Sequence, residues 1–408
     1  MRVVIVGAGL AAATAVEELR KQGHDGDIDL VGAEAHLPYN RPPLSKGLLL
    51  GDEDESSIFV HDEAWYADQS VALHLGTTVT GLDLDRSCVH VGAEELGYDR
   101  LLIATGSTPR RLPAAEGHGG AVAYLRTVED SLALRAAFAQ GRRVAIVGAG
   151  WIGLEVAAAA RAAGSEVTVI ESLELPLLRV LGSEVAATFA ELHRSHGVDL
   201  RLGATIEGFS SGGAGESVVR LRDGAEIAAD LVVVGIGVLP NDALASKAGL
   251  AVDNGILVDE WLRSTNPQVY AAGDVANQLH PTLGRRLRVE HWDTAIEQGK
   301  VAAANMLGGD EAYSRMPYFF TDQYDLGMEY VGHVGRDGFD EVVVRGDLAG
   351  ARVFSALWLQ GGRVVAGMHA NDWDAIDHLR AVVGTEATDR VRDPSVALAD
   401  LAGSSAVD

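Results

Sequence analysis

Residues 2–34 of the chain read RVVIVGAGLAAATAVEELRKQGHDGDIDLVGAE, and residues 143–171 repeat the pattern as RVAIVGAGWIGLEVAAAARAAGSEVTVIE. In each stretch a run of β-branched residues predicts a buried strand, which is followed by a glycine turn, an alanine-rich helix and a second strand. Each stretch is therefore predicted to form a βαβ unit. Two copies are too few for a stacked repeat array, so we expect two separate α/β domains.

The first glycine turn has the spacing of a dinucleotide-binding fingerprint, with Gly7, Gly9 and Ala12 at the three positions of G-x-G-x-x-G/A. The first glycine permits the tight turn, the second lets the backbone approach a pyrophosphate, and the small third residue lets helix and strand pack closely. Glu34 ends the second strand, where a carboxylate accepts hydrogen bonds from an adenosine ribose. A turn that binds no ligand is disfavoured, because strand, helix and acidic residue are all in place.

The second glycine turn repeats the fingerprint with Gly148, Gly150 and Gly153, and Glu171 closes its second strand. The three residues after Glu171 carry no cation. A carboxylate at this position accepts from a free ribose 2′-hydroxyl and repels a 2′-phosphate. We therefore expect NADH rather than NADPH to bind here.

Two dinucleotide sites in one chain imply a donor and an acceptor, and FAD with NAD is the economical pair. The loop after Glu34, residues 38–46, reads PYNRPPLSK. It is cationic and made rigid by three prolines, which suits contact with phosphates and an electron-rich ring. A solvated basic turn is the alternative.

Composition limits the classes of protein that fit. The length of 408 residues predicts two or three domains, and 47% hydrophobic with 22% charged residues is ordinary globular usage. The formal charge is 33 − 58 = −25, which opposes binding to nucleic acid or to an anionic membrane. No apolar run long enough to span a membrane and no secretory signal pattern are present, so a cytoplasmic location is expected.

Cys88 is the one cysteine of the chain. An intrachain disulfide, a redox-active cysteine pair and a cysteine-based zinc or iron–sulfur site are therefore excluded. The 13 histidines are scattered without a ligand motif, so no metal site is expected, and redox chemistry must come from a bound cofactor.

Between and after the two fingerprints, the pattern changes in three places. Residues 96–113 contain a strand that is closed by Gly106 and followed by two prolines, which predicts a crossing between domains. The Gly/Ser-rich residues 210–217 separate two alternating segments and predict a hairpin loop. From about residue 310, aromatic alternating segments predict a small antiparallel sheet with a helix around 372–383.

Six motifs in order resemble the oxygenase-coupled, FAD-dependent NADH:ferredoxin reductases: RPPLSK at 41–46, LLIATGS at 101–107, GAGWIGLE at 148–155, VYAAGDVA at 269–276, EHWDTAIEQG at 290–299 and PYFFTDQYD at 317–325. The resemblance covers essentially the whole chain. It implies a glutathione-reductase-like α/β fold with two Rossmann-type nucleotide-binding domains and a C-terminal α+β interface domain. The implied boundaries are 1–108 with 242–309 for the FAD domain, 109–241 for the NAD domain and 310–408 for the interface domain.

The resemblance also assigns cofactor contacts. The first fingerprint and Glu34 are expected to hold the ADP half of FAD, and Arg41 and Lys46 to lie along its pyrophosphate and isoalloxazine. Thr105 and Gly106 are expected to pass close to the cofactor. Gly273 and Asp274 form a turn in which Asp274 is expected to bond the ribityl chain.

Trp292 is expected near the pyrimidine end of the flavin. Phe320 departs from the family, in which tryptophan is common at this position.

Lys46 and Glu155 are the expected catalytic pair, because the resemblance implies that these two positions meet beside the flavin and the nicotinamide. A buried ammonium stabilises negative charge that develops on the flavin, and the carboxylate neutralises and orients the ammonium. A purely structural ion pair is the alternative.

Because Cys88 cannot form a dithiol, electrons are expected to leave the flavin directly for an external acceptor. The resemblance implies a ferredoxin of [2Fe–2S] type that serves an oxygenase such as a cytochrome P450. An NADH oxidase or diaphorase is one alternative, and an NADH-responsive binding protein similar to apoptosis-inducing factor is another. The protein is expected to be a monomer or a homodimer.

A ferredoxin is usually acidic, so an acidic reductase needs a local basic docking surface. We name as the basic cluster Arg285, Arg286, Arg288, Lys300 and Arg315, which are close together in the sequence. Ordinary solvated charge is the alternative for these side chains.

Overall fold

A computed structural model describes residues 1–335 and 338–401 of the chain. They fall into two compact units. The first contains residues 1–42, 54–108 and 238–317, and the second contains residues 43–53, 109–237 and those from 318 onward. The three-domain boundaries stay a prediction, and residues 402–408 of the predicted interface domain lie outside the described residues.

The first unit is built on a five-stranded parallel sheet that contains the first βαβ unit. Its central strand, Val3–Val6, is apolar and almost fully buried, as expected for a parallel strand that is covered on both faces. The strand order is Val269–Ala271, Arg100–Ile103, Val3–Val6, Ile28–Val31 and Val71–His74. The carboxyl ends of the first two βαβ strands lie side by side, which places the glycine turn and Glu34 at one edge of the sheet.

The helices Leu10–Lys21 and Trp292–Met306 of the first unit pack unusually closely. A Cβ atom at Gly299 would lie 2.5 Å from the carbonyl oxygen of Ala11, so only glycine permits this approach. The α-helices are Leu10–Lys21, Glu63–Asp68, Ala243–Lys247 and Trp292–Met306, and the 3₁₀ helices are Glu55–Ile58 and Gly273–Val275. The remaining strands form two small sheets, Val79–Asp83 with Cys88–Val91 and Glu94–Gly97, and Ile256–Val258 with Ala276–His280 and Arg285–Leu287.

The second unit contains the second βαβ unit in another five-stranded parallel sheet. The order is Asp199–Arg201, Glu166–Ile170, Arg143–Val147, Leu231–Val234 and Val122–Ala123. Its helices are Gly47–Leu50, Pro113–Glu116, Val128–Phe138, Trp151–Ala162, Leu178–Ser195, Ile376–Val382 and Asp389–Arg392, with 3₁₀ turns at Gly213–Gly215 and Leu398–Asp400. Strands Ile206–Ser211 and Ser217–Leu221 form an antiparallel pair, which confirms the predicted hairpin, and Glu226–Ala229 extends it.

The C-terminal part of the second unit is a five-stranded antiparallel sheet, as its alternating sequence predicts. The order is Tyr318–Gln323, Leu326–Gly332, Arg363–Ala370, Val353–Gln360 and Glu341–Asp347. The predicted helix is shorter than expected, and covers Ile376–Val382. Trp358 is fully buried, and its indole nitrogen donates to the carbonyl oxygen of Leu181 at 3.1 Å. The antiparallel sheet and the helix after the second βαβ unit therefore share one core.

Short elements mark where the chain leaves each unit: the 3₁₀ helix Pro42–Ser45 and the paired strands Ser107–Pro109 and Val238–Pro240. No helix among the described residues is both long enough and apolar enough to cross a membrane.

Candidate active site

The first glycine turn has the geometry that its fingerprint predicts. Gly7 has φ +111°, and a Cβ atom there would lie 2.1 Å from the carbonyl oxygen of Ala104. Gly9 precedes the helix that begins at Leu10, and a Cβ atom built on it meets no heavy atom within 4 Å. Gly7 is therefore required by the fold, whereas Gly9 borders open space that a ligand can enter. Ala12 is fully buried behind the turn.

Glu34, at the predicted ribose position, belongs to a small polar cluster. The guanidinium of Arg41 lies 2.6 Å from Glu34 Oε1, and the Tyr39 hydroxyl donates to Oε2. Arg41 also donates to the Tyr39 oxygen at 2.9 Å. Arg41 thus contacts the carboxylate predicted to bind ribose. A carboxylate offers about four lone-pair positions, so Glu34 keeps capacity for ribose hydroxyls.

Thr105 and Gly106 are held by an asparagine that the motifs did not single out. The Thr105 hydroxyl donates to the Asn241 carbonyl oxygen, and the Asn241 amide donates to the Thr105 carbonyl, both at 2.8 Å. Gly106 has φ +66° and accepts from the Asn241 backbone N–H at 2.9 Å. Asn241 directly follows the strand Val238–Pro240, but no spacing rule connects it with residue 105.

The turn at Gly273 and Asp274 is fixed from two sides. The Gly273 N–H donates to the Gln298 side chain at 2.9 Å, and the Ser107 hydroxyl donates to Asp274 Oδ2 at 2.7 Å. Ser107 thus connects the LLIATGS motif with the turn that was predicted to bond the ribityl chain.

Trp292 begins the helix Trp292–Met306 with 39% of its surface exposed. Its indole N–H donates to the Asn40 side chain at 2.8 Å. Asn40 lies in the proline-rich loop, so the fold joins this loop to the predicted flavin-edge tryptophan within the first unit.

The second glycine turn repeats the geometry of the first. Gly148 has φ +101°, and a Cβ atom there would lie 2.4 Å from the Gly235 carbonyl oxygen. At Gly153 a Cβ atom would lie 2.2 Å from the Gly148 carbonyl oxygen, so this glycine serves helix–strand packing. Gly150, like Gly9, borders open space.

Glu171 is oriented by backbone donors at the end of its strand. Its Oε2 accepts from the Ala149 N–H at 2.8 Å, and its Oε1 accepts from the Leu173 N–H at 2.9 Å and the Ser172 hydroxyl at 3.0 Å. Three of about four lone-pair positions are used, which leaves room for one ribose hydroxyl. Within the second unit the carboxylate is thus fixed beside the glycine turn.

Lys46 and Glu155 form an ion pair inside the second unit, with Nζ 2.7 Å from Oε1. The lysine side chain is 16% exposed and the glutamate side chain 3% exposed. Glu155 lies on the helix that follows the second glycine turn, and Lys46 precedes the short helix Gly47–Leu50. The segment with Lys46 groups with the second unit, although the resemblance assigned it to the FAD domain.

Two hydroxyl groups, which sequence reasoning missed, complete the surroundings of Glu155. Ser45 donates to Oε2 and Thr321 donates to Oε1, each at 2.5 Å. A buried carboxylate that accepts from two hydroxyls and an ammonium is fully compensated. Both residues lie within motifs that the resemblance used, RPPLSK and PYFFTDQYD, but no local pattern indicates that they meet.

Phe320 lies beside the same lysine. The Lys46 ammonium is 5.3 Å from the centroid of the Phe320 ring, within cation–π range. Phenylalanine thus keeps an aromatic contact at the position where tryptophan is common in the family.

Cys88 begins the middle strand of a small three-stranded sheet in the first unit and is buried. Its sulfur and ligand atoms of His90 and Glu95 lie within 4.8 Å of one another. The Glu95 carboxylate, however, is paired with both terminal nitrogens of Arg86, at 2.9 and 2.5 Å. This ion pair accounts for the acidic member of the group without a metal ion.

The matches with protein families decide the class of the chain. A family described as pyridine nucleotide-disulphide oxidoreductase matches residues 1–299, and one described as reductase C-terminal matches residues 318–402. The chain belongs to the pyridine nucleotide-disulphide oxidoreductase family. It is an oxidoreductase whose cofactors are FAD and NADH.

Relatives in this family resemble the chain along nearly its whole length. It is 43% identical over 400 residues to the ferredoxin–NAD(+) reductase component of the anthranilate 1,2-dioxygenase system of Burkholderia cepacia, covering 97% of this chain and 98% of that protein. It is 40% identical over 370 residues to putidaredoxin reductase of Pseudomonas putida, covering 89% and 87%.

Among solved structures, the covalent putidaredoxin reductase–putidaredoxin complex matches with TM-score 0.92 at 37% identity, covering 98% of this chain and 97% of that chain. The predicted family resemblance and the glutathione-reductase-like fold are confirmed.

The residues around both glycine turns fit the cofactors of this family. Gly9 and Gly150 border open space, as the close approach of a backbone to a pyrophosphate requires. Glu34 and Glu171 each keep acceptor capacity for ribose. The first turn with Glu34 can therefore hold FAD, and the second turn with Glu171 can hold NADH.

Proposed function

We propose that the protein transfers electrons from NADH, through FAD, to a ferredoxin that serves an oxygenase such as a cytochrome P450. The observation that carries this proposal is the cysteine count. The family is named for disulphide reduction, which needs a cysteine pair, yet this chain has only Cys88. Because the chain cannot form an internal disulfide to reduce, electrons must leave it for an external acceptor.

When bound, FAD accepts a hydride from NADH and releases electrons one at a time. The chain supplies position and charge for this chemistry. Gly9 and Gly150 let the backbone approach the two pyrophosphates, and Glu171 selects the nucleotide that lacks a 2′-phosphate. Lys46 supplies a positive charge that Glu155 holds in one place, and a preorganised charge of this kind stabilises developing negative charge.

The proposed acceptor is a [2Fe–2S] ferredoxin that docks on the basic cluster. Among the cluster residues, Arg288 has a side chain that is only 8% exposed. Arg286 is exposed, but its guanidinium donates to the carbonyl oxygens of Val258 and Asn277. The side chains of Lys300 and Arg315 are 41% and 44% exposed, and they offer charge that an acidic partner can reach.

Each of the two accessible cations also has an acidic neighbour, Glu297 beside Lys300 and Asp293 beside Arg315. The net charge of −25 favours weak, salt-sensitive association with an acidic ferredoxin. We propose a cytoplasmic enzyme that acts as a monomer or a homodimer, with no nucleic-acid or membrane partner.

Electron delivery is the direct test. Purified protein with FAD is mixed with NADH and cytochrome c, with and without a [2Fe–2S] ferredoxin. We expect cytochrome c reduction to depend on the ferredoxin and NADH consumption to be slow without it. Equal NADH consumption in air without any protein acceptor identifies an oxidase or diaphorase and contradicts the proposal.

The same preparation tests the remaining alternative. A reductase returns rapidly to its oxidised spectrum when ferredoxin is added after NADH. Slow reoxidation together with NADH-induced dimerisation on a sizing column indicates a binding protein that responds to NADH, and contradicts the proposed electron transfer.

A further inference from the structure

A line of buried polar side chains extends from Glu155 into the second unit. Thr321 Oγ1 lies 2.5 Å from Glu155 Oε1, Gln323 Nε2 lies 3.2 Å from Thr321 Oγ1, and His193 Nε2 lies 2.9 Å from Gln323 Oε1. The exposed fractions of Glu155, Thr321, Gln323 and His193 are 3%, 0%, 1% and 0%. These four side chains come from two helices and one strand, and each forms a hydrogen bond with the next.

The chemistry of the four groups determines the direction of every hydrogen bond. An ionised carboxylate only accepts, so the single hydroxyl proton of Thr321 points to Glu155. The Thr321 oxygen must then accept, which turns the NH₂ group of Gln323 towards it. The Gln323 oxygen is left facing His193, whose Nε2 must therefore be protonated.

An independent observation supports the same proton position. His193 Nδ1 is buried, with no hydrogen-bond partner in the described part of the chain. A buried N–H donor without a partner is costly. The proton on the ring is thus better placed on Nε2, where it has an acceptor. Burial also lowers the pKa of His193 to about 4, so the ring is neutral at pH 7 and has one proton to place.

We propose that His193, Gln323 and Thr321 form a one-way donor chain that holds the Glu155 carboxylate aimed at Lys46. All three act as positioning residues, and their catalytic importance rests on the proposed function of the Lys46–Glu155 pair. Hydrogen bonds in series that point the same way polarise one another, so the chain strengthens the donor that reaches Glu155.

The strand Tyr318–Gln323 makes this arrangement possible. Residues 321 and 323 are buried, whereas residue 322 between them is exposed, as the two-residue period of a strand requires. The register of this C-terminal strand therefore determines which hydroxyl reaches the glutamate after the second glycine turn. The strand thus places Thr321 in hydrogen-bond contact with Glu155, a residue 166 positions earlier in the chain.

The tautomer of His193 is the first test, and it needs no activity measurement. The ¹⁵N chemical shifts of the histidine rings are recorded at pH 7 on the wild-type holoenzyme, and His193→Gln assigns the signals. We expect a neutral ring with the proton on Nε2. A charged ring, or a proton on Nδ1, overturns the donor chain whatever the enzyme catalyses.

Flavin reduction by NADH is the second test. Thr321→Val keeps the shape of the side chain but removes the donor to Glu155, and we expect reduction in anaerobic stopped-flow to become about tenfold slower. Thr321→Ser, which restores the hydroxyl, should recover most of the rate. Thr385→Val is the matched control, because it removes a hydroxyl that donates to the Val382 carbonyl oxygen.

The outcomes separate this proposal from the proposed function. A wild-type rate in Thr321→Val contradicts the positioning role, even if ferredoxin is the acceptor. If instead the predicted tautomer is observed and Thr321→Val is slow, but no ferredoxin accepts electrons, the donor chain stands and the proposed acceptor is wrong. Should Thr321→Val fail to fold, Gln323→Leu replaces it in the stopped-flow measurement. A wild-type rate in Gln323→Leu, or a proton on Nδ1 of His193 in the wild type, then contradicts the donor chain.

Discussion

Lys46 is a half-buried charge that forms an ion pair with Glu155, and substitution can remove the charge while a polar side chain is kept. Lys46→Gln retains a hydrogen-bond donor but removes the charge. We predict that flavin reduction by NADH becomes about a hundredfold slower, because a preorganised charge is lost from the site. Anaerobic stopped-flow at the flavin absorbance measures this rate.

Lys300→Gln is the matched control, since that side chain is 41% exposed and pairs with Glu297 three residues away. An equal rate in Lys46→Gln and wild type would assign the Lys46–Glu155 pair to structure alone.

The Glu171 carboxylate is expected to determine the choice between NADH and NADPH. We predict that the wild-type protein has the higher kcat/KM with NADH than with NADPH, and that Glu171→Gln reduces this preference about tenfold, because the neutral amide no longer repels a 2′-phosphate. Steady-state rates with both nucleotides measure the preference. Glu174→Gln, which neutralises a nearby carboxylate, should leave it unchanged, and an NADPH preference in the wild type would contradict the assignment of Glu171.

His193 gives the folded protein a defined pH dependence. Burial lowers its pKa from 6.5 to about 4, so below pH 6.5 the unfolded chain binds a proton that the folded chain excludes. The stability due to the neutral ring is therefore complete above pH 6.5 and is lost as the pH falls towards 4. At pH 5 the loss is about 2 kcal/mol.

Urea unfolding at pH 7 and pH 5 measures this contribution when wild type is compared with His193→Gln. The variant should lose less stability between the two pH values than the wild type loses. An identical loss in both proteins would show that another group controls this pH range.

At the scale of the elements, each glycine turn contains one glycine that the fold requires and one that borders the predicted ligand site, so substitutions can test stability and binding separately. Gly7→Ala puts a Cβ atom 2.1 Å from a backbone oxygen at positive φ, and we predict destabilisation by about 3 kcal/mol. Gly9→Ala meets no protein atom, so the melting temperature of the FAD-free protein should stay unchanged while the Kd for FAD rises about tenfold. Thermal melting and FAD titration distinguish the two effects.

The second turn provides an internal comparison, with Gly148→Ala expected to behave as Gly7→Ala. Gly150→Ala is expected to weaken NADH and leave FAD binding unaffected. Loss of FAD in Gly150→Ala would reverse the assignment of the two sites.

The elements also show what periodicity can predict. The βαβ units, the hairpin around residues 210–217 and the C-terminal antiparallel sheet were all predictable, because buried strands and glycine turns leave a local pattern. The helix expected at 372–383 starts only at Ile376, since the residues before it form a turn that composition does not distinguish.

At the scale of the whole molecule, electrostatics controls the encounter with an acidic partner. Lys300→Glu changes the net charge from −25 to −27 by replacing a cation with an anion. We predict that ferredoxin-dependent cytochrome c reduction at low salt falls about threefold and that its salt dependence becomes weaker.

Lys247→Glu is the matched control, because it makes the same charge change at an exposed position outside the basic cluster. Equal effects of the two substitutions would show that net charge, and not the basic cluster, determines association.

The sequence by itself determined the two βαβ units and the family, because glycine spacing and the six motifs are local patterns. Its cysteine count indicated the need for an external electron acceptor. The tertiary structure decided which side chains contact each other. It brought Ser45, Glu155 and Thr321 together from three distant segments, and paired Arg41 with Glu34. It also directed the guanidinium of the exposed Arg286 to the carbonyl oxygens of Val258 and Asn277. The physical reason is that such contacts depend on how strands and helices far apart in the chain pack against each other, and no local periodicity records that packing.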